Sequence, residues 1–124
     1  MKQVGQQVIV DVMDCAGDFP HNEQFYHDLL RKIAAACFAT VESTHVHLFQ
    51  PYGVSALAIL SESHISLHTY PEYRYLSVDI YTCGVNTNPS NAIPIIGEVF
   101  SPGNTQVITF SRGISLPDSF RHIR

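Results

Sequence analysis

Between about Asn22 and Cys37 the residues Phe25, Leu29, Ile33 and Cys37 recur every four positions, with Tyr26, Leu30 and Ala34 beside them. This is the period of one amphipathic helix. Asn22 suits its cap, and Glu23 and Asp28 place acid toward its positive end. Around that helix the apolar runs are short and strand-like. Gln7 to Val12 alternates, with Val8, Val10 and Val12 on one face, and Gly17 to Pro20 breaks it. His45 to Phe49 reads as a second strand, followed by the turn signal Pro51 to Gly53. Val54 to Ser61 reads as a buried strand, and Ile65 to Tyr70, Leu76 to Thr82 and Thr105 to Phe110 as three more. Asn88-Pro89 can open a second helix, which Pro94 and Gly97 should keep short, displaced or kinked. The order β-α-β-β-β-β-α-β predicts an α/β (α+β) fold, a two-layer sandwich with helices on one face of a mostly antiparallel sheet. There is no repeat and no linker, so residues 1–124 are expected to form one domain.

Charge narrows the function classes. Seven basic and 11 acidic side chains give a net charge of -4, and no Lys/Arg run occurs, which argues against nucleic acid. Charged residues make up 15% of the chain, sparse enough to suggest that another subunit covers part of the surface. No window approaches the roughly 18 apolar residues of a membrane span. The N-terminal apolar stretch is too short for the core of a signal peptide. Cys15, Cys37 and Cys83 are odd in number and lack CxxC spacing, so a reducing, cytoplasmic setting is expected.

The reactive residues crowd into Leu60–Gly84, "LSESHISLHTYPEYRYLSVDIYTCG". Taken singly, most have an ordinary reading. His45 and His47 lie two apart on a strand and point the same way, without a suitably spaced partner for a metal. His64 and His68 are four apart, a spacing that on a strand lacks the meaning it has on a helix. Cys15 and Cys37 read as small buried hydrophobes. No GxSxG occurs and His68 has no evident orienting acid, so no hydrolase triad can be assembled.

The bond between Glu62 and Ser63 permits rarer chemistry. A serine hydroxyl can attack the carbonyl of the preceding residue through a five-membered ring, turning the peptide into an ester. A base that removes the serine Cα proton then expels the upstream carboxylate and leaves dehydroalanine, whose hydrolysis gives a pyruvoyl group at a new N-terminus. This requires a tight turn, a base and a donor for the tetrahedral oxyanion. Ser63 sits between two short apolar strands, where a tight turn belongs, and His68 and Ser55 are close in sequence.

The run Pro51–Gly84, with its SESH…HT.PE…D..TCG pattern, closely resembles the prokaryotic S-adenosylmethionine decarboxylases, small self-processing pyruvoyl enzymes of polyamine synthesis. Gly5, Asp14-Cys15 and Arg112-Gly113 extend the likeness over nearly the whole chain. The resemblance implies cleavage between Glu62 and Ser63, with Ser63 becoming the pyruvoyl cofactor and neither metal nor pyridoxal phosphate required. His68 matches the histidine that assists processing, and Ser55 the serine that supports the acyl-shift intermediate. Cys83 matches the thiol that protonates the substrate carbon after CO2 leaves. Phe49 matches an aromatic that stacks on adenine, Glu72 a carboxylate that holds the ribose hydroxyls, and Tyr70 flanks them. The pyruvoyl carbonyl condenses with the substrate's α-amine and accepts the electrons released on decarboxylation. The family fold is an α/β sandwich that dimerises, with its sites near the subunit interface.

The chain departs from the family pattern at several positions. Leu48 stands where a basic residue is usual, Arg74 and Ala56 where glycine is, Leu76 where a small residue is, and Tyr70 where tryptophan is often found. Tyr70, Arg74 and Leu76 surround Glu72 in sequence and are the positions expected to govern substrate choice. Two other readings follow. One is a pyruvoyl-dependent arginine or ornithine decarboxylase, in which Glu72 would pair with a distal cation. The other is a non-catalytic binding module on the same scaffold.

Overall fold

A computed structural model describes residues 4–61 and 63–113. The elements in order are β1 (Gly5–Met13), α1 (Glu23–Ala36), β2 (Val41–Leu48), β3 (Val54–Leu60), β4 (Ser63–Tyr70), β5 (Tyr75–Cys83), α2 (Ala92–Phe100) and β6 (Asn104–Arg112). Short 3-10 turns at Pro71–Tyr73 and Pro89–Asn91 complete the set. The strands form one sheet in the order β2-β3-β4-β5-β1-β6, and every neighbouring pair is antiparallel. The expected α+β sandwich is therefore present, with the predicted order of helices and strands.

Alternation in the strands assigns the two faces. Val8, Val10 and Val12 of β1, Ala56 and Ala58 of β3, Ile65 and Leu67 of β4, and Leu76, Val78 and Ile80 of β5 are buried in one core. The helices complete that core. In α1 the apolar stripe places Tyr26, Leu29, Leu30, Ile33 and Ala34 against the sheet, and the Asn22 side chain caps the first turn by accepting from Phe25 N at 3.0 Å. In α2 Ala92, Ile96 and Phe100 face inward. Pro94 falls within the first turn, where N–H groups have no helical acceptor, so it costs the nine-residue helix no internal hydrogen bond.

The other sheet face has no covering layer among the described residues. On it Ile9 of β1, Leu57 and Ile59 of β3, and Ile108 and Phe110 of β6 are exposed. In register they border a polar middle formed by His64, Ser66, Asp79 and Gln7. Strand β6 is exposed along its whole length.

Candidate active site

The sequence-predicted residues fall into two clusters at opposite ends of β4. The first contains Ser63 and Cys83. Ser63 opens β4 and pairs with Leu60, the last residue of β3, so two positions separate the strands. Glu62, the expected upstream partner in cleavage, lies outside the described residues. The Ser63 hydroxyl donates to the Ser61 carbonyl at 3.3 Å, and the Ser61 hydroxyl donates to Glu42 Oε1 at 3.0 Å. A serine that begins a strand immediately after so short a connection is in the tight-turn setting that an N-to-O acyl shift requires. Cys83 closes β5, and His64 pairs with Tyr81 two residues before it, so Cys83 and Ser63 lie at the same end of adjacent strands. Gly5 of β1 pairs with Cys83, and a Cβ on Gly5 would come within 2.3 Å of the Thr82 carbonyl oxygen. Only glycine lets β1 approach the Cys83 end of β5 so closely.

The second cluster lines a cavity of about 270 Å3 whose walls include Phe49, Ser55, His68, Tyr70 and Glu72. Ser55 and His68 are direct cross-strand partners, and Ser55 Oγ and His68 Nδ1 share a 2.7 Å hydrogen bond. Phe49 follows β2, where its N–H donates to the Gly53 carbonyl at 2.8 Å across a turn that Gly53 closes at φ 100. Its own carbonyl accepts from His21 Nε2 at 2.8 Å, and the His47 ring meets it edge-on at 4.5 Å. The Phe49 ring is thus held half-exposed at the cavity wall. Tyr70 stacks on its cross-strand partner Tyr75 at 5.5 Å. Tyr75 donates to Asp11 Oδ1 at 2.6 Å, and this bond to a carboxylate holds its phenol up at about 12. A neighbouring cavity of about 320 Å3 shares Ser55 and His68 and reaches His45 and His47 on the open sheet face.

Three sequence expectations need correction. His68 and Ser55 are close to Ser63 in sequence but not in space, because five residues of extended strand carry His68 about 17 Å away. Arg74 and Leu76 do not line the cavity. Leu76 is fully buried in the core between sheet and helices, following the parity of Val78 and Ile80. Arg74 occupies a left-handed conformation (φ 50), a region that favours glycine. Its guanidinium turns away to the carbonyls of Cys15 and Gly17, the latter at 2.7 Å, and lies over the Phe19 ring. Of the residues expected to govern the substrate, Tyr70 alone reaches the cavity. His64 and His68 do share a face, but two rows apart, with different partners.

Sequence reasoning also left out Tyr75, His21 and Thr69. Thr69 is buried and accepts the Val54 N–H at 2.9 Å, which fixes the cavity floor. The hairpin that pairs Tyr70 with Tyr75 carried a signal for Tyr75 alone. Cys15 and Cys37 are buried as expected, and burial pushes the Cys37 thiol up to about 11. Among the described residues no group of three or more His, Cys, Asp or Glu could hold a metal ion, and no helix is long and apolar enough to cross a membrane.

An antiparallel sheet with helices on one face, a serine at a tight strand junction and a separate Ser–His–carboxylate–aromatic cavity define a small α+β enzyme. Comparison with known proteins makes this specific. The S-adenosylmethionine decarboxylase family model matches residues 6–113. The S-adenosylmethionine decarboxylase proenzyme of Thermomicrobium roseum is 44% identical over 92% of this chain and 97% of its own. That of Methanococcus aeolicus is 38% identical over 91% and 97%. The crystal structure of the adenosylmethionine decarboxylase from Aquifex aeolicus superposes with a TM-score of 0.83 at 28% identity, covering 95% of this chain and 98% of that one. The chain belongs to the S-adenosylmethionine decarboxylase family.

Proposed function

We propose that this protein cleaves itself between Glu62 and Ser63 and then decarboxylates S-adenosylmethionine, giving the aminopropyl donor of polyamine synthesis and CO2. The observation that carries the reading is Ser63 opening β4 after a two-residue connection, beside the strand end that bears Cys83. In cleavage the Ser63 hydroxyl adds to the residue 62 carbonyl and the C–N bond breaks to leave an ester. Loss of the Ser63 Cα proton then expels the residue 62 carboxylate, and water converts the dehydroalanine to a pyruvoyl group with release of ammonia. His68, whose Nδ1 is tied to Ser55, is the base-bearing pair for this sequence.

The pyruvoyl group supplies an electron sink for decarboxylation. This chain's own residues do the rest. Phe49 offers its ring face to a purine, Glu72 accepts from vicinal hydroxyls at the cavity mouth, and the Tyr70–Tyr75 stack closes one side. Cys83 holds the proton returned to the substrate carbon.

Within one chain the two clusters are too far apart to cooperate. The open face carries Ile9, Leu57, Ile59, Ile108 and Phe110, an apolar border suited to a second sheet about 10 Å away. A two-fold axis lying between two such faces and running across the strands would set the Ser63 end of one chain against the His68 end of the other. We therefore assign the active form to a homodimer with two composite sites.

Intact-mass analysis tests the first step. The purified chain should resolve into two fragments divided at the 62–63 bond, the downstream one with a blocked, pyruvoyl-type end. A persistently intact 13.8 kDa chain would overturn it. Release of CO2 from carboxyl-labelled S-adenosylmethionine, arginine and ornithine tests the second. Release from either amino acid in preference to S-adenosylmethionine would overturn the substrate.

A further inference from the structure

Cleavage at the 62–63 bond would turn the first residue of β4 into a chain end, and strand ends fray unless they are tied down. His64, the next residue, is tied to the three strands on one side of β4. Its Nε2 lies 3.2 Å from Asp79 Oδ2 on β5, and since an ionised carboxylate only accepts, the imidazole donates. The other carboxylate oxygen, Asp79 Oδ1, accepts from Gln7 Nε2 on β1 at 2.8 Å. The Gln7 side-chain oxygen accepts from Arg112 on β6. The Arg112 guanidinium lies over the Tyr81 ring at 5.6 Å, and the Tyr81 ring is 6.0 Å from His64. The contacts close into a circuit running through β4, β5, β1 and β6 on the open face. It lies at the end of the sheet that carries Ser63 and Cys83, and none of its members lines the substrate cavity.

We propose that His64 is a positioning residue, anchored through Asp79, that holds the new N-terminus of β4 in register with Cys83 after self-cleavage. The inference rests on the self-processing reading and deepens it. Before cleavage the covalent link to residue 62 limits the motion of Ser63 and the anchor is redundant. After cleavage the Ser63–Leu60 strand pairing is the last rung of the ladder, and the side chain of residue 64 is the first to tie that rung to β5. A tether with both partners about one-third exposed is modest on its own, and the circuit through Gln7 and Arg112 fixes the carboxylate that it grips.

The test compares His64→Ala with wild type in two states, self-cleaved and held uncleaved by Ser63→Ala, using hydrogen exchange at the amides of residues 64–66. The expected result is cleavage of His64→Ala within a few-fold of the wild-type rate and exchange about tenfold faster than wild type in the cleaved protein. In the Ser63→Ala background, His64→Ala should leave exchange within about twofold. Turnover of S-adenosylmethionine should show kcat down about tenfold with KM within about threefold. His64→Gln, whose side-chain nitrogen can reach Asp79, should restore most of both. Asp79→Asn carries the same test if His64→Ala fails to fold. Equal loosening in the cleaved and uncleaved states would mean an ordinary sheet contact and would overturn the proposal. Unchanged exchange in a cleaved His64→Ala protein overturns it as well. An intact wild-type chain would overturn the self-processing reading together with it, so the two failures are distinguishable.

Discussion

The proposed site shared between two chains predicts complementation between two inactive ones. In Ser63→Ala the scissile serine is gone, while Ser55, His68 and the cavity remain. In His68→Ala the serine and the hairpin remain, while the base is gone. Each homodimer should therefore fail or be slow to process. Strand geometry sets the expectation, since the five residues from Ser63 to His68 span about 17 Å along β4 and no rotamer closes that gap within one subunit. In a mixed dimer the Ser63 of the His68→Ala chain faces the intact His68 of the other. Random pairing of equal amounts puts about half of the subunits in mixed dimers, each with one complete site. About half of the His68→Ala chains should then be cut and none of the Ser63→Ala chains. Co-expression followed by intact-mass analysis reads this directly, because the downstream fragments carry different substitutions. Cleavage in the mixture no greater than that of His68→Ala alone would refute the shared site. So would wild-type cleavage by His68→Ala by itself.

Gly5→Ala should destabilise the fold by about 1–3 kcal/mol and lower the melting temperature by roughly 5 °C or more, because its Cβ meets the Thr82 carbonyl at 2.3 Å. Thermal unfolding checks this, and turnover should fall with it since Cys83 must shift. Arg74→Gly relieves about 1 kcal/mol of left-handed strain but loses the contacts to Cys15, Gly17 and Phe19, so net stability should change by less than about 2 kcal/mol. Its effect should appear as a few-fold rise in KM with cleavage at the 62–63 bond unchanged, because the loop bearing Glu72 loosens. Among the thiols, half-buried Cys83 should react with a disulfide reagent well before buried Cys15 and Cys37. Burial lifts Cys37 from 9.0 to about 11, so its contribution to stability is fully present below pH 9 and is lost as pH rises toward 11. Chemical denaturation across that range should show the decline, and Cys37→Ala should flatten it.

The element order was legible because the period-two strands and the period-four helix are local properties, and Leu76 shows how far that locality reaches. Its parity with Val78 and Ile80 already sends it toward the helices and away from the cavity. Arg74 was less accessible, since a left-handed backbone leaves no mark on an arginine. The cavity residues Phe49, Ser55, His68, Tyr70 and Glu72 came out together because consecutive antiparallel hairpins return each strand beside the last. What failed was the inference from sequence proximity to spatial proximity. On a helix a five-residue gap is about 7–8 Å of rise, but on a strand it is more than twice that, enough to separate the bond to be cut from the pair that would assist it. A sheet with helices on one face cannot fold back to close such a gap, because the far end of each strand is fixed by its neighbours. The uncovered face with its apolar border then has a reason beyond solubility or packing. In the proposed homodimer it is the surface across which a second copy, turned end for end, would supply Ser55 and His68 to Ser63.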